Sequence, residues 1–480
     1  THGTNHLTGP LHASLSAIGA TGSGTRLVAT NTTTLEGTSL NAVGGAILRL
    51  TGARRFITGD QVNASIVARN PGSAVELPNV AELEGATGRF ATLAVNAING
   101  GGIQLGSVPV VDIGYTSFAA DGAGSLIDLS ALERMTGGEL FVRGGGLLLT
   151  PILQRFERTS VTVDGVGSAL DVGLVDALPG SSVRVAAGAE VEFPSVTAIA
   201  GGEPSSQLIA TGAGSELRFP AVTTLSGATG RFSQLAVQAL QGGVLRLPIL
   251  SAVTGDKTAF LAEGAGSILQ LPTLPELNFN SLEARAGARL DCPALQILRS
   301  ASLIVRGSAT QLPVAQITLA DGCNLQALDG AVVRFTGLPA YDALSLFSVQ
   351  LLATGNGSEL DFPKLASLRG ARAQFATLLV QAGPGGRVRM PVLTSVVDGS
   401  SGFLSEGVNA LLELDTLTSL SGPALEARAG GTLWVPLLQS FRQGSLIVRG
   451  TASILPVAQI TSLDGASVLA TGGEDAGAVQ

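Results

Sequence analysis

Apolar side chains alternate with polar ones in short runs along this chain, and the runs return about every 24 residues. The recurring motif is apolar–x–apolar–Pro–x–apolar, as in LRFPAV, LRLPIL, LQLPTL and LDCPAL. With the proline, or the residue aligned with it, as marker, 20 coils can be counted from Pro10 to Pro456. The residue before the marker is apolar in 18 of 20 coils, and so is the residue two after it. The residue three before is mostly Leu, Ile or Val. The residue two before is often charged: Arg49, Glu76, Asp128, Glu192, Arg218, Arg246, Asp291, Arg334, Asp361, Arg389, Glu413. In–out–in alternation predicts a strand with one buried face. A second alternating strand follows in each coil, as in FSQLAVQA, AFLAEGAG, SLEARAGA and SLIVRGSA, and ends in glycine-rich corners such as GAGS, GNGS and GGG. Glycine suits corners that need positive φ, and proline stops strand pairing where the chain bends. No stretch carries a helical period over three turns.

A longer period contains the short one. GSAVELPNVAELEGATGRFATLAV from Gly72 returns as GSELRFPAVTTLSGATGRFSQLAV from Gly214 and GSELDFPKLASLRGARAQFATLLV from Gly357. The offsets are 142 and 143 residues, and SLIVRGSATQLPVAQI at Ser302 returns 143 later at Ser445. The chain therefore reads as one continuous solenoid over 1–480, with a partial super-repeat at 1–71, full ones at 72–213 and 214–356, and an incomplete one at 357–480. A single coil cannot bury its own apolar face; stacking on neighbours buries it and completes the backbone hydrogen bonds. Coils of 20 to 28 residues with irregular corners predict an all-β, right-handed parallel β-helix, since a left-handed hexapeptide helix needs regular 18-residue coils. Twenty coils at about 4.8 Å each predict a rod about 95 Å long.

The pieces LPNVAEL, FPKLASL and MPVLTSV resemble the coils of receptor-L-type and leucine-rich solenoids, although the leucine-rich Asn/Cys ladder position is missing. The glycine-rich strands and the super-repeat resemble the β-helical passengers and stalks of large secreted surface proteins. That resemblance spans the whole chain and implies an extracellular shaft; it implies nothing about a ligand.

Composition changes this picture little. Charged residues are 13% and aromatics 4% of 480 residues, glycine is 64, and apolar residues still reach 45%, so the chain is neither disordered nor an ordinary globular domain. Net charge is −8 without a basic block, which argues against nucleic acid. No apolar run approaches the 18 residues of a membrane helix. The chain has no initiator Met and no signal peptide, which reads as a mature form or an excised piece. It begins and ends inside a super-repeat, so the coils are expected to continue into a longer polypeptide or a stacked copy.

Candidate chemistry is sparse. Histidine occurs only at His2, His6 and His12, in a terminal segment expected to fray, which leaves none for a Ser/His/Asp or Cys/His mechanism. Cys292 falls in the inward column and reads as a small buried hydrophobe; Cys323 lies in DGCNL, and a bridge between the two is left open. DGAGSLID from Asp121 and DGVGSALD from Asp164 look like calcium turns but lack the sustained Asp of the nonapeptide repeat, so plain corners are expected. GDKT at Gly255 lacks the upstream glycine of a P-loop. Glycosylation sequons occur at Asn31, Asn63 and Asn356, with Asn31 expected to be buried; Trp434 is expected outward, where its ring could stack on a sugar or a neighbouring chain. No catalytic, cofactor or metal residue is assigned. The outward charges, mixed in sign along the full length, are expected to form a salt-bridged face. The reading is a non-catalytic extracellular structural or adhesive shaft or filament element. It is expected to self-associate end to end or to belong to a larger surface protein, with possible glycan contact. The alternative is a carbohydrate-binding or carbohydrate-cleaving β-helix, whose site would gather Asp, Lys or Arg on one outer face.

Overall fold

Each alternating run pairs with its counterpart one coil away, because there both backbone edges of a strand find partners. In the computed structural model, which describes residues 3–9, 11–60, 63–344, 348–471 and 478–479, these pairings build parallel ladders, with no helix among the described residues. The chain divides into two units, Thr1–Pro248 and Ile249–Gln480. The longest ladder of the first unit has ten strands, from Ala17–Thr21 to Leu235–Leu240. The second unit has ten of its own, from Thr258–Glu263 to Ser467–Thr471. Within each unit pairing proceeds in chain order, as in Ala64–Arg69 to Leu93–Ile98 to Thr116–Asp121, so each ladder is an open stack of coils. The protein is a parallel β-solenoid of twenty coils.

Registered pairing turns alternation into columns. In the first unit Leu40, Ile66, Val95, Phe118, Leu140 and Val161 stack in one inward column. In the second, Phe260, Leu282, Leu303, Leu325, Leu351 and Val380 do the same. All are buried. The neighbouring inward column holds alanine over much of its length, Ala42, Ala68, Ala97 and Ala120 in the first unit and Ala327, Ala353 and Ala382 in the second, with valine elsewhere, as at Val142, Val163, Val185 and Val305. At several of the alanines a corner glycine packs close. A Cβ on Gly101 would overlap Ala68, one on Gly146 would overlap Ala120, and one on Gly386 would overlap Ala353. In the GG and PGG corners one glycine supplies positive φ, as Gly100, Gly145 and Gly385 do, and the next allows close approach to the preceding coil.

The marker column behaves as expected from Val28 onward, where every residue before the marker is buried. Within it Phe193 stacks on Phe219, and Phe335 on Phe362, each pair with ring centroids 5.2 Å apart. The column two after the marker fails at four coils: His12, Asn31, Ala315 and Ala458 are exposed. At the last two the chain turns two residues later, with the turn closed from Ile317 N–H to the Val314 carbonyl and from Ile460 N–H to the Val457 carbonyl, so after Pro313 the inward role passes to Val314 and Ile317. Asn31 is thus not the buried residue expected from its column; its amide reaches the Thr8 carbonyl from an exposed position. His6 and His12 are not frayed either. They lie exposed on short strands, Gly3–Leu7 and Leu11–Ser14, that pair with the next coil. Pro10 and His2 lie outside the described residues.

The coil also has a third strand that the two-strand reading misses. It lies just past the marker, as Glu82–Ala86, Arg134–Thr136 and Arg155–Glu157 in the first unit and Glu276–Asn278 and Ser367–Arg369 in the second. Its centre is one inward residue, Leu83, Met135, Phe156, Leu277 or Leu368, which is the last apolar position of LPxLxxL. A strand with a single inward residue has no period of its own.

The neighbouring valines of Val332–Arg334 test the assignment of faces, since Val332 is 63% exposed and Val333 2%. Val333→Asn should lower stability by about 3 kcal/mol, burying an amide without a partner. Val332→Asn should change it by less than about 0.5 kcal/mol. Chemical denaturation of both variants measures the difference, and equal losses would show that the faces are misassigned.

Candidate functional surfaces

The outward positions of a registered ladder place like-numbered residues of consecutive coils about 4.8 Å apart, close enough for charges of opposite sign to bond. In the first unit Glu216 accepts from Arg218 at 2.5 Å and from Arg246 of the next coil, while Arg218 also lies 3.6 Å from Glu190 and from Glu192. In the second, Asp361 lies between Arg334 and Arg389 in register, 2.7 Å from the Arg334 Nε, and Glu413 receives both Arg387 and Arg389, at 2.8 and 3.1 Å. The long ladder repeats the scheme with Arg143–Asp121 at 2.5 Å, Arg285–Glu263 at 2.8 Å and Arg428–Glu406 at 3.0 Å. The salt-bridged face expected from mixed charges is therefore present, with one departure. Asp361 is only 2% exposed, because the two arginines above and below lie over it, so it is not a solvated charge.

The Asp/Gly turns are serine corners. Ser125 Oγ accepts the Gly100 N–H of the preceding coil at 3.0 Å and donates to the Asp121 carbonyl at 2.7 Å. Ser73, Ser168 and Ser215 make the same two bonds in the first unit, and Thr310, Ser358 and Ser453 in the second. Asp121 turns its carboxylate to Arg143, and among the described residues no group of three or more His, Cys, Asp or Glu is placed to hold a metal. The glycines of GAGS drew attention in the sequence; the hydroxyl that ties each coil to the one before it did not.

Both cysteines are free and buried. Burial, with Asp291 next to Cys292, pushes the Cys292 thiol up to about 12, and burial pushes Cys323 likewise to about 12. Neither is a nucleophile in the folded protein. Tyr341 donates from its hydroxyl to the Cys323 carbonyl at 2.6 Å, which anchors the DGC corner. Trp434 is outward and 41% exposed, in register with Glu413. Asn63 is exposed, and its side-chain oxygen accepts the Thr92 N–H at 2.8 Å.

One cleft gathers acids and arginines on neighbouring coils. It has a volume of about 370 Å³ and is lined by Thr318, Asp321, Tyr341, Asp342 and Arg369, among others. The Asp342 N–H donates to the Asp321 carboxylate at 3.2 Å, and Arg372 lies 3.0 Å and Arg369 3.6 Å from the Asp342 carboxylate. Burial pushes the Asp321 carboxyl above its ordinary value, against the Asp342 N–H that holds it down. These residues follow the marker on the third strand, the element hidden from the sequence reading, so no column drew them together there.

No family model matches the chain, and no curated protein matches it. Among solved structures a likeness is found to the crystal structure of a TibC-catalyzed hyper-glycosylated TibA fragment, at 9% identity and a TM-score of 0.15, covering 95% of this chain and 98% of that one. At those values it adds nothing to what the coil ladder shows by itself.

The charge ladder carries a pH dependence. Hydrogen bonds from Arg218, then from Arg246, hold the Glu216 carboxyl down to about 2 against an ordinary 4.5. A depressed carboxyl stabilises the fold above its unfolded value, and that contribution is lost as pH falls through the folded value. Stability should therefore drop between pH 4.5 and about 2. Glu216→Gln should be less stable at neutral pH and lose less across that window, a difference read from denaturation midpoints at pH 7, 4 and 2.5.

Proposed function

We propose that this chain is a non-catalytic structural or adhesive shaft element working outside the cell, as a stretch of one continuous solenoid built from 142–143-residue super-repeats. The observation that carries the reading is the pairing of the outward charges. A surface that binds and cleaves polymers keeps polar groups free to meet substrate, with a carboxyl whose affinity for protons is raised to act as acid. Glu216, Glu263, Asp361 and Glu413 are instead engaged by arginines of the same or a neighbouring coil, and Glu216 is shifted the opposite way. Such a face resists pulling and shearing, since each coil is tied to its neighbours by backbone ladders, corner hydroxyls and ion pairs together. The buried, unreactive thiols also suit an exposed life, as they offer no site for oxidation.

A second reading, a carbohydrate-active β-helix, is favoured by one place only, the Asp321–Asp342 cleft with Arg369 and Arg372. There a raised carboxyl stands beside a second one, the arrangement a glycan-cleaving acid and base would use.

Both readings meet in one experiment. The full chain is incubated with neutral and uronate-containing polysaccharides while new reducing ends and unsaturated products are measured, and cells that make it are labelled with gold-tagged antibody. The shaft reading expects no turnover and label outside the envelope. Turnover that Asp321→Asn and Asp342→Asn abolish, or label confined to the cell interior, would overturn it.

A further inference from the structure

Among the described residues the most exposed large apolar side chains are three phenylalanines: Phe90 at 86%, Phe232 at 90% and Phe375 at 92%. They hold the same place in the super-repeat, within GATGRF, GATGRF and GARAQF. Each sits at the tip of a hydrogen-bonded turn just before a long-ladder strand: Ala91 N–H to the Gly88 carbonyl at 3.1 Å, Ser233 N–H to Gly230 at 3.2 Å, and Ala376 N–H to Ala373 at 3.1 Å. A Cβ on Gly88 would overlap the Asp60 carbonyl, so the tip is braced against the coil before it. In two of the three the preceding arginine lies over the ring, Arg89 at 5.4 Å from the Phe90 centroid and Arg231 at 5.3 Å from that of Phe232. Both belong to the first unit, six coil steps apart along its ladder, or about 29 Å. The third has Gln374 in place of the arginine.

An exposed ring recurs at this one turn in all three super-repeats, twice beneath an arginine, which marks the turn as a place of contact. The second unit holds a complementary feature, a cleft of about 620 Å³ between the third strands of neighbouring coils. Val253 and the half-exposed Phe279 form its apolar wall, and Asp256 and Glu276 stand with them. Glu276 lies 3.6 Å from Arg299, and Asp256 4.0 Å from Lys257, both beyond hydrogen-bond length, so both carboxylates keep acceptor capacity. The positions matching Phe279 in the other two copies are Gly137 and Gly422, so only the middle copy has this wall.

We propose that an Arg–Phe finger of one copy of this chain docks in the Val253–Phe279 cleft of a second copy, with the ring against the apolar wall and the guanidinium on Asp256 and Glu276. Local charge supports this occupant: the fingers carry guanidinium groups, Arg89 and Arg231, and the cleft carries two carboxylates, Asp256 and Glu276. Finger and cleft are different patches, so the contact is heterologous and lets each copy both give a finger and receive one. It deepens the structural reading by supplying a lateral link besides any stacking of ends.

Charge exchange tests it on the full chain by sedimentation velocity across a concentration series. Wild type should associate as concentration rises. A finger variant, Arg89→Glu with Arg231→Glu, and a cleft variant, Asp256→Lys with Glu276→Lys, should each associate at least tenfold more weakly. Mixed, the two should regain association, because each finger then meets a cleft of opposite charge; that recovery also shows that both variants are folded. Phe375→Ala should behave as wild type. A wild type that stays monomeric, variants that associate unchanged, a mixture that fails to recover, or loss of association from Phe375→Ala alone would overturn the docking. So would a monomer whose fingers bind anionic vesicles. None of these outcomes touches the shaft reading, which glycan turnover decides.

Discussion

Parallel backbone pairing between one coil and the next is the constraint on which every other feature of this protein rests. A coil of about 24 residues has an apolar side it cannot cover and strand edges it cannot satisfy alone. The next coil supplies both at once. Registered pairing then fixes which residue of each coil lies over which residue of its neighbour, as Leu93 over Ala64 and Thr116. From that follow the aliphatic columns, the phenylalanine stacks and the arginine–carboxylate rungs. None of these needs a contact distant in sequence by more than one coil, so a super-repeat can be duplicated without redesign of its surroundings.

The corners show how closely this constraint acts. A turn between two strands must reverse direction while keeping step with the turn below it. One glycine takes the left-handed conformation, the next admits the alanine of the preceding coil, and a buried hydroxyl ties the two turns together, as at Gly100, Gly101 and Ser125. Removing such a hydroxyl leaves a buried N–H without a partner, a loss of about 1–3 kcal/mol at each corner. The corners are thus part of the core in energetic terms although they carry almost no apolar mass. The same logic separates the three phenylalanine turns from the rest. Most of the described phenylalanines are buried in the columns, whereas these three stand almost fully exposed at the tips of turns.

The coil count, the inward column before the marker and the outward charged column were legible in the sequence because an apolar–polar–apolar triplet recurs beside the marker in coil after coil. The third strand was not, since a single leucine such as Leu277 between two polar residues has no period. The Asp321–Asp342 cleft was hidden for the same reason. Asn31 was misplaced because the first coils follow the column rule loosely, and Asp361 because sequence shows the direction of a side chain but not the arginines that fold over it. Trp434 and Cys292 were placed correctly, as each sits in a column whose direction the neighbouring coils define, whereas Cys323 lies in a corner outside those columns and its burial was not legible.

If stability is held between coils rather than within them, the length of the chain matters less than its register. The most direct measurement compares two deletions by circular dichroism and thermal unfolding. Removing residues 214–356 takes out one whole super-repeat and joins Ala213 to Gly357, so each coil still meets a neighbour of matching pattern. Removing only residues 235–244 takes away one long-ladder strand and its corner and leaves the flanking coils out of step. The account predicts a folded, cooperatively unfolding protein from the larger deletion and loss of folded structure from the smaller one. A folded small deletion beside an unfolded large one would contradict it.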